Sequence, residues 1–246
     1  MDVGGVTLLE RTVSQIRHQS SQIPIFIVTG HMSEKVRKIA ESFTDDSIKI
    51  VHNSNFATDQ NILSAQTALL EIEGEVLIIE GDCIFNQHSF ESFISQFGLG
   101  RNIIFTKDAA SLENNNSIIL SKDGEVTGYH KGEREIGMNM KGWRNMAGAI
   151  IVNNDGKELI LDATINFGYD PKSTYYFQPL VDRFLEFDVS AHDLPVGADF
   201  RTFNTHFQYL QSLTAMGIST TIELVQVSEL SHVEGFSQKR VEWLME

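Results

Sequence analysis

A single cysteine, Cys83, stands in 246 residues, so an internal disulfide framework and a cysteine-only zinc cluster are both excluded, and a reducing compartment fits best. Four prolines and 18 glycines are too few for a collagen-like, mucin-like or proline-rich disordered chain. No stretch approaches the roughly 18 consecutive apolar residues that a membrane span needs, and the opening segment Met1 to Arg11 lacks a basic region followed by an apolar core. Cations are scarce as well. Nineteen Lys and Arg against 33 Asp and Glu leave a net charge of −14, a field that repels nucleic-acid backbones and anionic membrane surfaces. The eight histidines never fall into HxH or HExxH spacing, so a zinc hydrolase is not indicated. These absences point to a cytoplasmic protein with no nucleic acid and no membrane among its partners.

What is present is an ordinary globular composition, 41% hydrophobic and 21% charged, long enough for one large core. Apolar residues at Leu8, Leu9, Val13 and Ile16 recur near helical spacing, and Thr7 with Glu10 has the form of a capping box, which predicts a helix from Thr7 to His18. Strand-length apolar runs follow at 24–29, 48–51, 76–79 and 103–105, separated by helical patterns at 33–43, 61–72 and 89–97. This alternation predicts an α/β fold, a Rossmann-like, mostly parallel mixed sheet flanked by helices. Beyond residue 105 the texture changes. Ser117 to Leu120, the turn pair Asp123-Gly124 and Glu125 to Tyr129 predict a small antiparallel insertion. Further strands are expected at 145–152 and, as the last core strand, at 197–201. Helices are expected at 157–161, 175–185 and 203–216, with another near Val241 to Met245. No linker divides the chain, so it reads as one domain, 1–246, with a first half to residue 105 and a second from 106.

In an open parallel sheet, ligands bind beyond the carboxyl ends of the strands. Glu80-Gly81-Asp82 ends the strand at 76–79, and two carboxylates two residues apart on extended backbone share a side, with Gly81 allowing close approach of a ligand. Read alone, such a sequence is more often a polar turn. The run Gly5-Val-Thr-Leu-Leu-Glu-Arg-Thr12, then Ile27-Val-Thr-Gly-His31, then His52-Asn-Ser-Asn-Phe56 with Asn61-Ile-Leu-Ser64, then Leu77-Ile-Ile-Glu-Gly-Asp82, resembles the nucleotidyltransferase superfamily in order and spacing. It is most similar to the small phosphocholine-type cytidylyltransferases, with a fold of the nucleotide-diphospho-sugar transferase type.

The resemblance implies transfer of a nucleoside monophosphate, CMP from CTP, to a small phosphorylated acceptor such as phosphocholine, a phosphonate or a sugar phosphate, with release of pyrophosphate. It implies Mg²⁺ as cofactor, with Asp82 as principal metal ligand and Glu80 as a second. Gln60, Asn61, Ser64 and Gly81 match the nucleotide-contacting segment, although Asn61 reads equally as a helix cap. Residues 1–105 would be the nucleotide-binding half and 106–246 the acceptor-binding half. Asn145 and Gly148 match the small-residue strand of the acceptor pocket, and Lys131 a phosphate-binding lysine. Trp143, Tyr169, Tyr175 and Tyr176 are candidates for an aromatic box around a quaternary ammonium, with core packing the commoner fate of each.

Two departures bear on that expectation. The family's N-terminal strand and glycine-rich loop, whose amides and cations cradle the triphosphate, have no counterpart in residues 1 to 20. The absence of that strand should leave two neighbouring strands unpaired, so either the sequence is N-terminally truncated, the favoured expectation, or a partner completes the sheet. Further, at the position of the family's late metal-binding aspartate stands Arg201; Asp199, two residues earlier, is a candidate to take over the metal, and Arg201 to contact a phosphate directly. The alternative functions are a metal-dependent glycosyltransferase using a nucleotide sugar, and a degenerate, non-catalytic nucleotide-binding domain. A homo-oligomer stays open.

Overall fold

The computed structural model describes residues 2–3, 6–108, 117–131, 141–203 and 206–217. In chain order it contains β1 (Asp2–Val3), β2 (Val6–Thr7), α1 (Leu8–Gln19), β3 (Ile25–Thr29), α2 (Ser33–Ala40), β4 (Ile48–His52), α3 (Ile62–Leu69), β5 (Val76–Ile79), β6 (Cys83–Phe85) and α4 (Gln87–Gln96). There follow β7 (Asn102–Asp108), β8 (Ser117–Lys122), β9 (Glu125–Lys131), β10 (Trp143–Val152), α5 (Asn154–Asn166), α6 (Gln178–Asp182), β11 (Val189–Asp193), β12 (Phe200–Thr202) and α7 (His206–Ala215). The helix expected near Val241 to Met245 lies outside the described residues.

The main sheet is mixed and six-stranded, in the order β5-β10-β7-β11-β9-β8. β10 runs antiparallel to both β5 and β7, so those two point the same way, and β11 is parallel to β7. The strands β3 and β4 pair in parallel as a sheet of their own. Alternation along the strands divides the core, because successive side chains point to opposite faces. Ile103, Phe105, Ala147, Ala149 and Ile151 pack on Phe90 and Phe93 of α4, while Ile104, Ile150 and Val152 pack on Ile62, Leu159, Ile160 and Leu180 of α3, α5 and α6. α1 lies beside α2 and α4, and α3 beside α5. Helices therefore cover both faces, as the βα alternation anticipated.

Local rules account for several boundaries. Glu10 N donates to Thr7 Oγ1 at 3.2 Å and Thr7 N to Glu10 Oε2 at 2.6 Å, the expected capping box at the start of α1. The Asp123-Gly124 turn takes φ of 55° and 85° and joins β8 to β9 as a hairpin, the mirror-image turn geometry that suits strand twist. Elsewhere the structure departs from the sequence reading. The helix expected at 175–185 shortens to α6, Gln178–Asp182, with Pro179 in its first turn, where a proline is tolerated because its missing N–H would have no helical partner. The strand expected at 197–201 forms at β12, but it pairs with β6 outside the main sheet. The last strand of the main sheet is instead β11, whose sequence Val-Ser-Ala-His-Asp lacks an apolar run.

Candidate active site

The site is built where β5 ends. Glu80 N donates to Gly148 O at 2.8 Å, which extends the β5 edge along β10 by one residue and fixes the side chain. Gly148 lies in a register shift of β10 between Met146 and Ile150 and has φ 69°. A Cβ there would lie 2.5 Å from Cys83 Sγ and 3.0 Å from Glu80 Oε2, so the residue must be glycine for the two strands to meet as they do. Tyr176, fully enclosed, donates its hydroxyl to Glu80 Oε1 at 3.2 Å. Burial, with the Asp82 charge beside it, raises the Glu80 carboxyl from 4.5 to about 7. Asp82 opens to solvent, although protein on most sides of its carboxyl raises it somewhat as well. Ligand atoms of Glu80, Asp82 and Cys83 all lie within 4.8 Å of one another. Cys83 is buried, and burial pushes its thiol well above the ordinary range, so it stays protonated and aims at the two carboxylates from 3.8 and 3.9 Å.

The second wall comes from the loop before α3. Asn61 does not cap that helix: its Oδ1 accepts from Tyr176 N at 2.9 Å, and Gln60 N donates to Pro171 O at 2.7 Å. The cap is Asp59, which accepts from Leu63 N, Ser64 N and Ser64 Oγ at 2.8 to 3.0 Å and from Asn53 Nδ2 at 2.9 Å. Sequence reading missed Asp59, although an acidic residue just before a helical run is the usual sign of such a cap. These bonds tie the 170–176 segment to the start of α3 and bring Tyr175 and Tyr176 to the wall of one cavity of about 1560 Å³. Gln60, Asn61, Ser64, Glu80, Gly81, Asp82 and Tyr175 all line it.

The remaining candidates lie elsewhere. Asp199 binds Lys107 Nζ at 2.8 Å and Arg201 at 3.2 Å, and its backbone oxygen faces Asn86. Asp199 is not part of the group in which ligand atoms of Glu80, Asp82 and Cys83 lie within 4.8 Å of one another; its carboxylate is engaged by Lys107 and Arg201 instead. Arg201 spends its charge on Asp199 rather than on the cavity. Among the described residues the four aromatic candidates do not form a box: Tyr175 stacks on Phe177, Tyr176 is held by Glu80, Tyr169 donates to Asp182, and Trp143 meets His130 edge-on. Asn145 and Trp143 occupy the stretch of β10 that extends past β5 to pair with β7 and β8, and Lys131 pairs with Ser117 at the open end of the β8–β9 hairpin. Trp143 and Asn145 thus lie beyond the carboxyl end of β5.

No family model matches the chain. Among curated proteins, the bifunctional protein GlmU of Streptococcus pyogenes serotype M12 (strain MGAS2096) is 30% identical over 127 residues, which is 50% of this chain and 30% of that protein. The match thus spans under a third of that relative's length. Among solved structures, a CTP:phosphocholine cytidylyltransferase from Streptococcus pneumoniae superposes with a TM-score of 0.66 at 16% identity, covering 87% of each chain. A putative glucose-1-phosphate thymidylyltransferase from Bacillus anthracis gives 0.67 at 12% identity, covering 90% of this chain and 87% of that one. The chain has the fold of these nucleotidyltransferases, a mixed α/β sheet flanked by helices.

Proposed function

We propose that this chain is a nucleotidyltransferase domain that moves a nucleoside monophosphate, CMP from CTP, onto a small phosphorylated acceptor and releases pyrophosphate. The observation that carries the reading is the convergence of Gln60, Asn61, Ser64, Glu80, Gly81 and Asp82 on one cavity at the carboxyl end of β5, where a sheet of this kind places its ligands. The polar side chains of the loop before α3 would meet the nucleotide. Gly81, with no side chain and nothing within 4 Å of an added Cβ, leaves room for a phosphate against the backbone. Trp143 and Asn145, beyond the carboxyl end of β5, would with Lys131 meet the acceptor.

The donor set fits Mg²⁺. Two carboxylates offer the oxygen ligands that a hard cation takes, while the neighbouring thiol stays protonated and soft. Asp82, the more open carboxylate, would be the principal ligand, with Glu80 behind it; bound there, Mg²⁺ would supply charge neutralisation at phosphate oxygens. The protein's own groups would do the positioning. Tyr176 holds Glu80, Gly148 lets β10 close on it, and the loop before α3 is anchored through Asp59. Such catalysis works by orientation and charge, with no covalent enzyme intermediate.

One observation favours a second reading. Among the described residues lining the cavity, Lys49 is the cation, set against Glu71, Glu73, Glu75, Glu80 and Asp82. A triphosphate in that surrounding needs positive charge from elsewhere, which is what a non-catalytic, degenerate domain would lack. Pyrophosphate release from CTP with Mg²⁺ and a panel of phosphorylated acceptors separates the two. Turnover that disappears in Asp82→Asn supports the transferase; silence with every triphosphate and acceptor, in this chain and in one extended upstream, leaves the binding reading. Nucleotide-sugar turnover without pyrophosphate would mean a glycosyltransferase.

A further inference from the structure

Tyr176 is bonded at both of its ends. Its backbone N–H donates to Asn61 Oδ1 at 2.9 Å and its hydroxyl to Glu80 Oε1 at 3.2 Å. The residue is 3% exposed, and its ring meets Phe177 edge-on with centroids 5.5 Å apart. A buried tyrosine hydroxyl usually finds a partner; here that partner is one of the two carboxylates of the site. The preceding turn is held as well, since Gln60 N donates to Pro171 O at 2.7 Å, and Ser173 N and Thr174 N donate to Asp170 O at 3.1 and 3.0 Å. The segment from Asp170 to Tyr176 thus links the loop before α3 to the end of β5.

The two oxygens of Glu80 have different surroundings. Oε1 takes the tyrosine hydroxyl. Oε2 lies 3.8 Å from Cys83 Sγ, whose other acidic neighbour is Asp82 Oδ1 at 3.9 Å. The oxygen left over is therefore the one that shares a neighbour with Asp82. Mg²⁺ demands a near-ideal arrangement of its oxygens, and hydrogen-bond partners that orient ligating carboxylates are typically worth about 10–100-fold in metal affinity. Asn61 makes no hydrogen bond to Glu80 itself; among the described residues its link to that carboxylate runs through Tyr176.

We propose that Tyr176 is a positioning residue for the cation site: its hydroxyl occupies Glu80 Oε1 and leaves Oε2 for a divalent cation beside Asp82, and the Asn61 bond to its backbone sets where the hydroxyl sits. The loop before α3 thereby tunes cation affinity at a carboxylate to which it is not bonded. The proposal rests on the reading of Glu80 and Asp82 as the ligands of the ion.

Calorimetric titration with Mn²⁺, which takes the same carboxylate oxygens as Mg²⁺, tests this without turnover. Tyr176→Phe keeps the ring and removes the hydroxyl; it should weaken Mn²⁺ binding about tenfold with the circular-dichroism spectrum unchanged. Asn61→Ala should weaken it by a smaller factor, and on the Tyr176→Phe chain it should add nothing, because the hydroxyl through which it acts is gone. On a Glu80→Gln chain, whose remaining Mn²⁺ affinity comes from Asp82, both changes should be silent. A tyrosine that only packs would lower the melting temperature and leave the Mn²⁺ affinity of the folded protein as it was. Equal affinity in the unmodified chain and Tyr176→Phe would overturn the proposal while keeping the carboxylates as a cation site, and so would additive effects of Tyr176→Phe and Asn61→Ala. If the unmodified chain binds no Mn²⁺, the proposal falls together with the reading of Glu80 and Asp82.

Discussion

Replacing Gly148 with alanine tests the geometry of the site at its tightest point. The added Cβ meets two separate penalties. At φ 69° a residue with a side chain pays roughly 1–2 kcal/mol for left-handed backbone. The same Cβ would lie 2.5 Å from Cys83 Sγ, an overlap that a packed interior relieves only by shifts costing about 1–3 kcal/mol. Gly148→Ala should therefore lose about 2–5 kcal/mol of unfolding free energy in urea titrations followed by circular dichroism. The two contributions separate in a double-mutant cycle. With Cys83→Ala the sulfur is gone, so the glycine replacement should cost only its backbone share, and the coupling between the positions should be about 1–3 kcal/mol. A Gly148→Ala cost under about 0.5 kcal/mol, or additivity within that margin, would refute the close approach of β10 to Cys83 and Glu80.

Glu80 makes stability depend on pH. Its carboxyl is raised in the folded protein, from 4.5 to about 7, so the folded state holds a proton that the unfolded chain has released, and stability falls as pH rises through that window. In metal-free buffer the loss should approach about 3 kcal/mol at about 1.4 kcal/mol per pH unit, and Glu80→Gln should abolish it; identical urea midpoints against pH for the two proteins would contradict the burial. Asp59→Ala removes the acceptor for two backbone amides at the start of α3 and should cost about 1–3 kcal/mol, whereas Asn61→Ala should leave α3 capped and instead loosen the Tyr176 segment, seen as faster amide exchange at Tyr176. Lys107→Met leaves Asp199 with Arg201 as its ion-pair partner and the Phe200 amide as a donor and should destabilise by about 1–3 kcal/mol. If Asp199 were instead a ligand in the cavity, the same change would alter Mg²⁺ affinity.

Features governed by neighbours in sequence were legible before any coordinates. The Thr7–Glu10 box, the Asp123-Gly124 turn and the apolar runs at β3, β4, β5 and β7 depend on short-range sterics and on period-two or period-3.6 patterning, and each forms as read. The two-carboxylate end of β5 was legible too, although Glu80 and Asp82 come together through a turn at Gly81-Asp82 rather than by alternation on extended backbone. The mixed α/β class followed from the order of those runs.

Other features depend on residues distant in sequence. β11 has no apolar run because its neighbours β7 and β9 supply its environment, and β12 has a partner only because β6 passes beside it. Asn61 and Asp59 look equally able to cap α3 in sequence; the position of Tyr176, 115 residues away, takes Asn61 for another bond. Asp199 looked free to hold metal until Lys107 and Arg201 were found on it. Sequence alone determined most elements of the first half, the class of fold and the acidic strand end, because those follow from patterns a few residues long. Only the tertiary structure decided which polar groups face the cavity and that Tyr176 and Gly148 hold Glu80 in place, because pairing, burial and charge neutralisation are properties of the assembled chain.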